Sequence, residues 1–276
     1  MTIFRKKENA LQTIFKKKKV VIGVIHSLPL PGSPQYQGES LEKIYAFAVA
    51  EAQRYAKGGV HGLIVENHGD IPFSKPEDIG HETSAVMAVM TERVRQRVKV
   101  PVGINVLANG ALPALAIAQA SNAAFIRVNQ WANAYVANEG IIEGPAAKAT
   151  RYRSWLRANH LRIFADVHVK HGSHAIVADR TLAELTRDTE FFDADVVIAT
   201  GQRTGDAAAL HEARGIKEAT QLPLLIGSGV TEENVIDLLQ IADGVIVASS
   251  LKEKGVWWTP VSTTKVKRLM NVVAKL

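Results

Sequence analysis

The chain has 276 residues, 47% hydrophobic and 22% charged, which is typical of a globular protein with a large core. No window reaches the roughly 20 apolar residues that a membrane-spanning helix needs, and no signal-peptide core follows the N-terminus, so a cytoplasmic location is expected. The lack of cysteine excludes disulfides, thiolate metal sites and a cysteine nucleophile, and the net charge of +6 arises from 33 Lys and Arg against 27 Asp and Glu.

Residues 1–19 form a basic amphipathic N-terminal segment. Its apolar residues, Ile3, Phe4, Leu11, Ile14 and Phe15, accompany the lysines of 16–19. A solvated charged face is one interpretation, and a helix lying on an anionic membrane surface is the alternative. No nucleic-acid partner is expected, because aromatic residues are sparse and are not interleaved with basic ones.

From residue 20 onwards, β-rich runs alternate with helical patterns. Eight strands are predicted at 20–26, 62–66, 102–107, 125–129, 161–170, 196–200, 224–227 and 245–248, with helices between them at 41–57, 83–98, 112–121, 146–159, 182–191, 207–219 and 234–241. This alternation requires a parallel sheet covered by helices, and eight units favour closure. The predicted fold is therefore α/β, a single (β/α)8 TIM barrel over 1–276, with an open doubly wound sheet as the alternative.

Polar residues that end the predicted strands are expected at the barrel mouth, where active sites of this fold lie. Asp166, His168 and Lys170 alternate within 161–170, which predicts that their side chains share one face. The other strands are expected to bring the following polar residues to the mouth: His26, Glu66 with His68, Asn67, Asn105, Arg127, Asn129 and Thr200. Burying this many polar groups without partners is costly, so they must pair with one another or bind a metal or a ligand.

Four of these residues are the candidate catalytic groups. Glu66 and Asp166 are a candidate acid–base pair, since different environments can move the pKa values of two carboxyls apart. Lys170 is a candidate electrophile, phosphate partner or Schiff-base nucleophile, and Arg127 is a candidate bidentate donor to a phosphate or carboxylate. The alternative is structural pairing, of Asp166 with His168 or Arg127 and of Glu66 with Arg127 or Lys170.

The sequence identifies no cofactor. A divalent metal such as Zn²⁺ or Mn²⁺ is possible but not favoured, because no dense metal-binding motif is present. The ligands that such a metal would use are His26, Glu66, Asp166 and His168. His168, His171 and His174 are equally consistent with exposed loop histidines.

Two runs near the C-terminus predict a phosphate site. Residues 224–231 and 244–252 are each an apolar strand that ends in small residues, which let backbone N–H groups approach an anion. In (β/α)8 barrels the loops after strands 7 and 8 commonly hold a phosphate. The expected phosphate-binding residues are Gly227, Ser228, Gly229, Ser249 and Ser250, and residues 200–205 after the sixth predicted strand are expected to add backbone donors.

These stretches together resemble the BtpA family, the BtpA/SgcQ-like or photosystem I biogenesis protein family. The similar segments are 23–34, 65–67, 69–70, 72–73, 125–129, 165–171, 200–201, 204–205, 227–231 and 242–252. The resemblance implies a phosphate-binding (β/α)8 barrel and, for one branch of the family, a role in photosystem I biogenesis at the thylakoid membrane. The chain departs from the family pattern at Asn109-Gly110, where a carboxylate is missing, and at 255–260, where Trp257 and Trp258 are expected to pack on the barrel exterior or against another subunit of a homo-oligomer.

Three functional hypotheses follow, of which one, a phosphate-ligand sensor without turnover, differs from the first only in lacking chemistry. The first is an enzyme that acts on a phosphorylated small molecule, a sugar phosphate or nucleotide derivative, by acid–base chemistry at the mouth, as an isomerase, lyase or glycosidic hydrolase. The alternative is a non-enzymatic biogenesis or stability factor for a membrane complex of the photosystem I type, with a peripheral membrane contact.

Overall fold

Strands and helices alternate along most of the chain in a computed structural model that describes residues 7–201 and 210–276. The strands are β1 (Val20–His26), β2 (Gly62–Glu66), β3 (Val102–Asn105), β4 (Phe125–Val128), β5 (Ala134–Ala137), β6 (Gly140–Glu143), β7 (Arg162–His168), β8 (Gly172–Ser173), β9 (Val196–Ala199), β10 (Leu224–Ile226) and β11 (Gly244–Val247). The helices are α1 (Ala10–Phe15), α2 (Leu41–Gly58), α3 (His81–Arg97), α4 (Ala111–Ala120), α5 (Ala146–Trp155), α6 (Leu182–Phe191), α7 (Leu210–Ala219), α8 (Val235–Ile241) and α9 (Thr263–Val273). Within the described ranges, no helix has both the length and the apolar character needed to cross a lipid bilayer.

Eight of the strands form a closed parallel barrel in the order β1-β2-β3-β4-β7-β9-β10-β11. The barrel closes because β11 pairs with β1, with Val20 opposite Gly244. Every residue of β1 and β2 is buried, as expected for strands that are covered on both faces. The predicted (β/α)8 barrel is confirmed, and the open doubly wound sheet is excluded by the β1–β11 pairing.

Helix α1 closes the N-terminal end of the barrel. Its Leu11 and Phe15 are buried in the same apolar cluster as the barrel interior, and the Phe15 ring meets Phe125 edge to face at 5.8 Å between centroids. Gly62 admits this packing, because a Cβ there would lie only 2.4 Å from the Phe15 ring. The fold therefore places two of the apolar residues predicted for a membrane-surface helix inside the protein, while Ile3 and Phe4 lie outside the described residues.

A small antiparallel sheet, not predicted from the sequence, follows β4. Strands β5 and β6 form a hairpin, and β8 pairs with the other edge of β5. Tyr135 and Ala137 of β5 reach the cavity at the barrel mouth. The hairpin therefore covers part of the site.

Strand β7 contains a bulge that changes which residues face the mouth. Asp166 and His168 pair with the consecutive residues Ile198 and Ala199 of β9, so Val167 is an extra residue in the strand. The bulge interrupts the alternation, and His168 lines a different cavity together with His174. The prediction that Asp166, His168 and Lys170 share one face is therefore wrong.

Candidate functional site

A cavity of about 610 Å³ opens at the C-terminal end of the barrel. The predicted site residues that line it are His26, Glu66, Asn105, Arg127, Asn129, Lys170, Gly227, Ser228, Gly229, Ser249 and Ser250. The cavity thus brings three of the four candidate catalytic side chains together with the whole of the predicted phosphate site.

Four other predicted residues lie behind or away from this wall. Asn67 connects the loop after β2 to the loop after β3, since its Oδ1 accepts from the Leu107 backbone N–H at 2.7 Å. The Thr200 hydroxyl accepts from the backbone N–H of Lys170 at 3.0 Å. Asp166 is buried beneath Arg127, and His168 lies on the other side of β7. The residues 202–205, expected to add phosphate donors, lie outside the described residues.

Glu66 is the centre of a buried polar cluster at the end of β2. Its Oε1 lies 3.0 Å from His68 Nδ1 and 3.6 Å from His26 Nε2, and its Oε2 accepts from Asn105 Nδ2 at 2.7 Å. The His26 and His68 rings are stacked with their centroids 4.4 Å apart. Sequence reasoning aligned His68 with Glu66 but gave His68 no role, although the Glu-x-His spacing at a strand end was the available signal.

The protonation states in this cluster follow from burial and from the neighbouring charges. Burial lowers the pKa of His26 to about 3, so this imidazole is neutral at pH 7. Burial alone would raise the pKa of Glu66, but the hydrogen bond and charge of His68, with His26 and Arg127 nearby, outweigh it and hold that pKa below its ordinary value. The site therefore presents a carboxylate beside a neutral imidazole.

Arg127 and Asp166 form a buried ion pair under the cavity floor. The guanidinium donates through Nε to Oδ1 at 3.1 Å and through Nη2 to Oδ2 at 3.0 Å, and Asn129 Nδ2 adds a third donor at 3.3 Å. Burial opposes the charge on Arg127, but Asp166 outweighs it and raises the pKa of the guanidinium. One of the structural pairings expected from the sequence is thus present, and it fixes the orientation of Arg127.

The predicted phosphate site lies beside a lysine. Lys170 Nζ donates to Ser228 Oγ at 3.3 Å, which brings an ammonium group to the loop after β10. A cation next to a turn of small residues is the combination that an anionic group requires. Sequence reasoning listed phosphate binding as one role of Lys170, and the contact with Ser228 favours that role.

The two predicted phosphate loops are braced by their own side chains. Asn234 Oδ1 accepts from the Thr231 backbone N–H at 2.8 Å, and its Nδ2 donates to the Gly229 carbonyl at 2.9 Å. Gly229 has φ +68°, a conformation that favours glycine. Ser250 Oγ donates to the Val230 carbonyl at 2.6 Å, which connects the loop after β11 to the loop after β10. The loops are therefore held in place before any ligand binds.

Aromatic side chains pack on the histidines, and sequence reasoning missed them. The Trp257 ring lies 4.5 Å from the His68 ring and 5.8 Å from the His26 ring, and Phe73 lies 5.8 Å from His68. The expectation that Trp257 packs on the barrel exterior is wrong, because the segment after β11 returns to the mouth, whereas a subunit contact of Trp257 stays a prediction. Trp258 is 66% exposed, and a subunit contact for it stays a prediction.

The described residues contain one group of three side chains whose ligand atoms could hold a metal ion: His26, Glu66 and His68. The ligand set considered from the sequence is therefore not brought together. Asp166 is engaged by Arg127, and the β7 bulge carries His168 to another cavity.

Comparison with known proteins identifies relatives along most of the chain. The family model described as "BtpA family" matches residues 17–275. An uncharacterized protein of Archaeoglobus fulgidus is 42% identical over 254 residues, which cover 92% of this chain and 98% of that protein. The photosystem I biogenesis protein BtpA of Synechocystis is 41% identical over 242 residues, which cover 87% and 83% of the two chains.

Solved structures share the fold at low sequence identity. The (S)-3-O-geranylgeranylglyceryl phosphate synthase of Thermoplasma acidophilum, in complex with its substrate sn-glycerol-1-phosphate, superposes with a TM-score of 0.59 at 14% identity. The match covers 97% of each chain. At this identity the likeness concerns the barrel alone.

Proposed function

The chain belongs to the BtpA family, and we propose that it is an enzyme that acts on a phosphorylated small molecule, a sugar phosphate or nucleotide derivative, by acid–base chemistry at the barrel mouth. One observation carries the proposal: a single cavity of about 610 Å³ holds both the small-residue loops and the polar cluster around Glu66. A volume of this size suits a small metabolite.

The phosphate would bind where Lys170 meets Ser228, with backbone N–H groups of the loops after β10 and β11 as further donors. The 3.3 Å contact between Lys170 Nζ and Ser228 Oγ places positive charge at the loop that the sequence selected for phosphate. Because Asn234 and Ser250 brace these loops, the donors are preorganised and little ordering cost opposes binding.

The Glu66–His68 pair would carry out the proton transfers. The imidazole of His68, whose Nδ1 lies 3.0 Å from Glu66 Oε1, would exchange the proton with the substrate, and the ionised Glu66 carboxylate would orient and stabilise that ring. Arg127, held by Asp166, would orient the reacting part of the substrate. Asp166 itself has the role of positioning Arg127 in this scheme, because it is buried beneath the guanidinium.

Calorimetric titration with a panel of sugar phosphates and nucleotides, after a thermal-shift screen, tests this proposal. A hit should bind about 10- to 100-fold more weakly to Ser228→Ala and Lys170→Gln, since a hydrogen bond to a charged group contributes about 1.5–3 kcal/mol. Glu66→Gln should bind the hit but lose turnover, and Lys17→Ala, exposed at the opposite end of the barrel, serves as the control. A panel without any hit, or a hit that both loop variants bind normally, would overturn the proposal.

A second candidate function is a biogenesis factor for a membrane complex. It is favoured by the 41% identity to the Synechocystis protein that carries this description. If this function includes contact with a membrane, the isolated protein should bind anionic vesicles at physiological ionic strength.

A further inference from the structure

We propose that His26, Glu66 and His68 bind a divalent transition-metal ion of the zinc class at the cavity wall. This assignment deepens the proposed function, because the ion would face the same cavity as the predicted phosphate loops. It uses a different set of ligands from the one that the sequence suggested.

The distances between donor atoms suit one ion. One ligand atom from each residue lies within 4.8 Å of the others. Metal–ligand bonds of about 2.0–2.2 Å in a tetrahedral site separate neighbouring ligand atoms by about 3.4 Å. The separations of 3.0 Å from Glu66 Oε1 to His68 Nδ1 and 3.6 Å from Glu66 Oε1 to His26 Nε2 lie on either side of this value.

The contacts of His26 leave its Nε2 available to a cation. Its Nδ1 lies 3.3 Å from the Trp257 carbonyl oxygen, which can only accept, so a proton on Nδ1 completes this hydrogen bond. The opposite nitrogen, Nε2, lies 3.6 Å from Glu66 Oε1, which is too long for a hydrogen bond but suits two ligands of one ion.

The surroundings have the features of a metal-binding shell. The Trp257 carbonyl fixes the His26 ring, and Asn105 Nδ2 holds the second oxygen of Glu66 at 2.7 Å, as outer partners of metal ligands commonly do. Asn105 is 1% exposed and lines the cavity, and its Oδ1 has no hydrogen-bond partner among the described residues. A buried acceptor that faces a cavity needs a water, an ion or a ligand there as its partner.

Two imidazoles and one carboxylate select the type of ion. This ligand set suits Zn²⁺ and neighbouring transition ions, whereas Mg²⁺ prefers oxygen ligands and retains its waters. Three protein ligands leave a coordination position open towards the cavity, where a water can bind and have its pKa lowered. The acid–base group of the proposed enzyme would then be this water, with Glu66 and His68 as its supports.

Calorimetry tests the assignment. The full chain is first stripped of metal with a chelator and is then titrated with Zn²⁺, Mn²⁺ or Mg²⁺. One Zn²⁺ should bind per chain, more tightly than Mn²⁺, and Mg²⁺ should not compete. Co²⁺ should give visible absorption bands of a low-coordinate site. His26→Gln and His68→Gln should each weaken Zn²⁺ binding by at least about 100-fold, since loss of an outer partner alone costs about 10- to 100-fold.

His168→Gln is the matched control, because this histidine lies in another cavity beside His174 and should not affect the titration. Circular dichroism verifies that each variant is folded. Failure of Zn²⁺ and Co²⁺ to bind, or normal binding by both the His26 and His68 variants, would overturn the metal site.

The two proposals fail separately. If the metal-free protein binds a phosphorylated ligand through Ser228 but never binds Zn²⁺, the metal assignment is wrong and the proposed function stands. If Zn²⁺ binds through His26 and His68 but no phosphorylated ligand binds with or without the ion, the proposed function is wrong and the metal site stands.

Discussion

The buried Arg127–Asp166 pair determines the charge at the floor of the cavity. The side chain of Arg127 is 6% exposed and that of Asp166 is fully buried, and their two hydrogen bonds leave neither charge without a partner. Removing one member of such a pair leaves the other buried charge without its counter-ion, whereas replacing both can be nearly neutral.

A double-mutant cycle tests this structural role. Asp166→Leu should lower the free energy of unfolding by about 3–5 kcal/mol, because Arg127 loses its counter-ion, and Arg127→Met with Asp166→Leu should recover most of that loss. Urea unfolding of the four proteins gives the coupling energy. An Asp166→Asn variant that keeps wild-type stability yet loses turnover would instead favour the acid–base role predicted from the sequence.

The partly buried position of His168 predicts that the stability of the protein depends on pH. Burial, together with the charge of His174, lowers the pKa of His168 from 6.5 to about 4, so the folded protein keeps this ring neutral where the unfolded chain would protonate it. Between pH 6.5 and 4 the unfolded state binds more protons, so stability falls as the pH falls through this window and is unaffected by this residue above it.

The measurement compares urea unfolding of the wild type and His168→Gln at pH 7.5 and pH 5. After allowance for the partial exposure of the ring, the wild type should lose about 1–2 kcal/mol more than the variant on acidification. Equal losses in the two proteins would show that the ring is solvated in the folded state.

Among the secondary-structure elements, α1 covers the N-terminal end of the barrel. Phe15→Ala should lower the free energy of unfolding by about 3–5 kcal/mol, because the ring fills space against Phe125 and Gly62. Gln12→Ala, on the exposed side of the same helix, should change it by less than about 0.5 kcal/mol. If the Phe15 variant were as stable as the Gln12 variant, α1 would not be packed on the barrel in solution.

The strands could be predicted closely, because parallel strands buried on both faces are continuous apolar runs with small or polar residues at their ends. The predicted bounds of β1 and β2 agree with the structure, and the other barrel strands differ by one or two residues at their ends. The β5–β6 hairpin was missed, since residues 134–143 alternate weakly and one exposed face gives little hydrophobic signal.

The candidate site could be predicted only in part, for reasons that are local. Simple alternation assigns Asp166 and His168 to one face, but a bulge at Val167 separates them. No residue type in this strand indicates the bulge. The position of Trp257 depends on how the chain turns after β11, a tertiary property. Glu66 and Ser228 were placed correctly in the cavity wall because they end regular strands or begin the loops that follow them.

For the whole molecule, the question is whether the protein works in solution or on a membrane. The apolar side chains of α1 are used inside the barrel, so the described part of the N-terminal segment offers a membrane mainly the exposed lysines at 16–18. Each lysine near an anionic surface contributes about 1 kcal/mol, and about 3 kcal/mol in total corresponds to an affinity weaker than about 1 mM.

Co-sedimentation with anionic vesicles should therefore be detectable only at low ionic strength and should vanish near 0.15 M salt, where the Debye length is about 8 Å. Reversal of the three lysines to glutamate should abolish even the low-salt binding without affecting stability, because these side chains are exposed. Binding that persists in physiological salt and survives the charge reversal would require apolar insertion. An Ile3→Ser, Phe4→Ser variant would then test the tip of the segment, and loss of binding in it would shift the favoured function from an enzyme to a membrane-complex biogenesis factor.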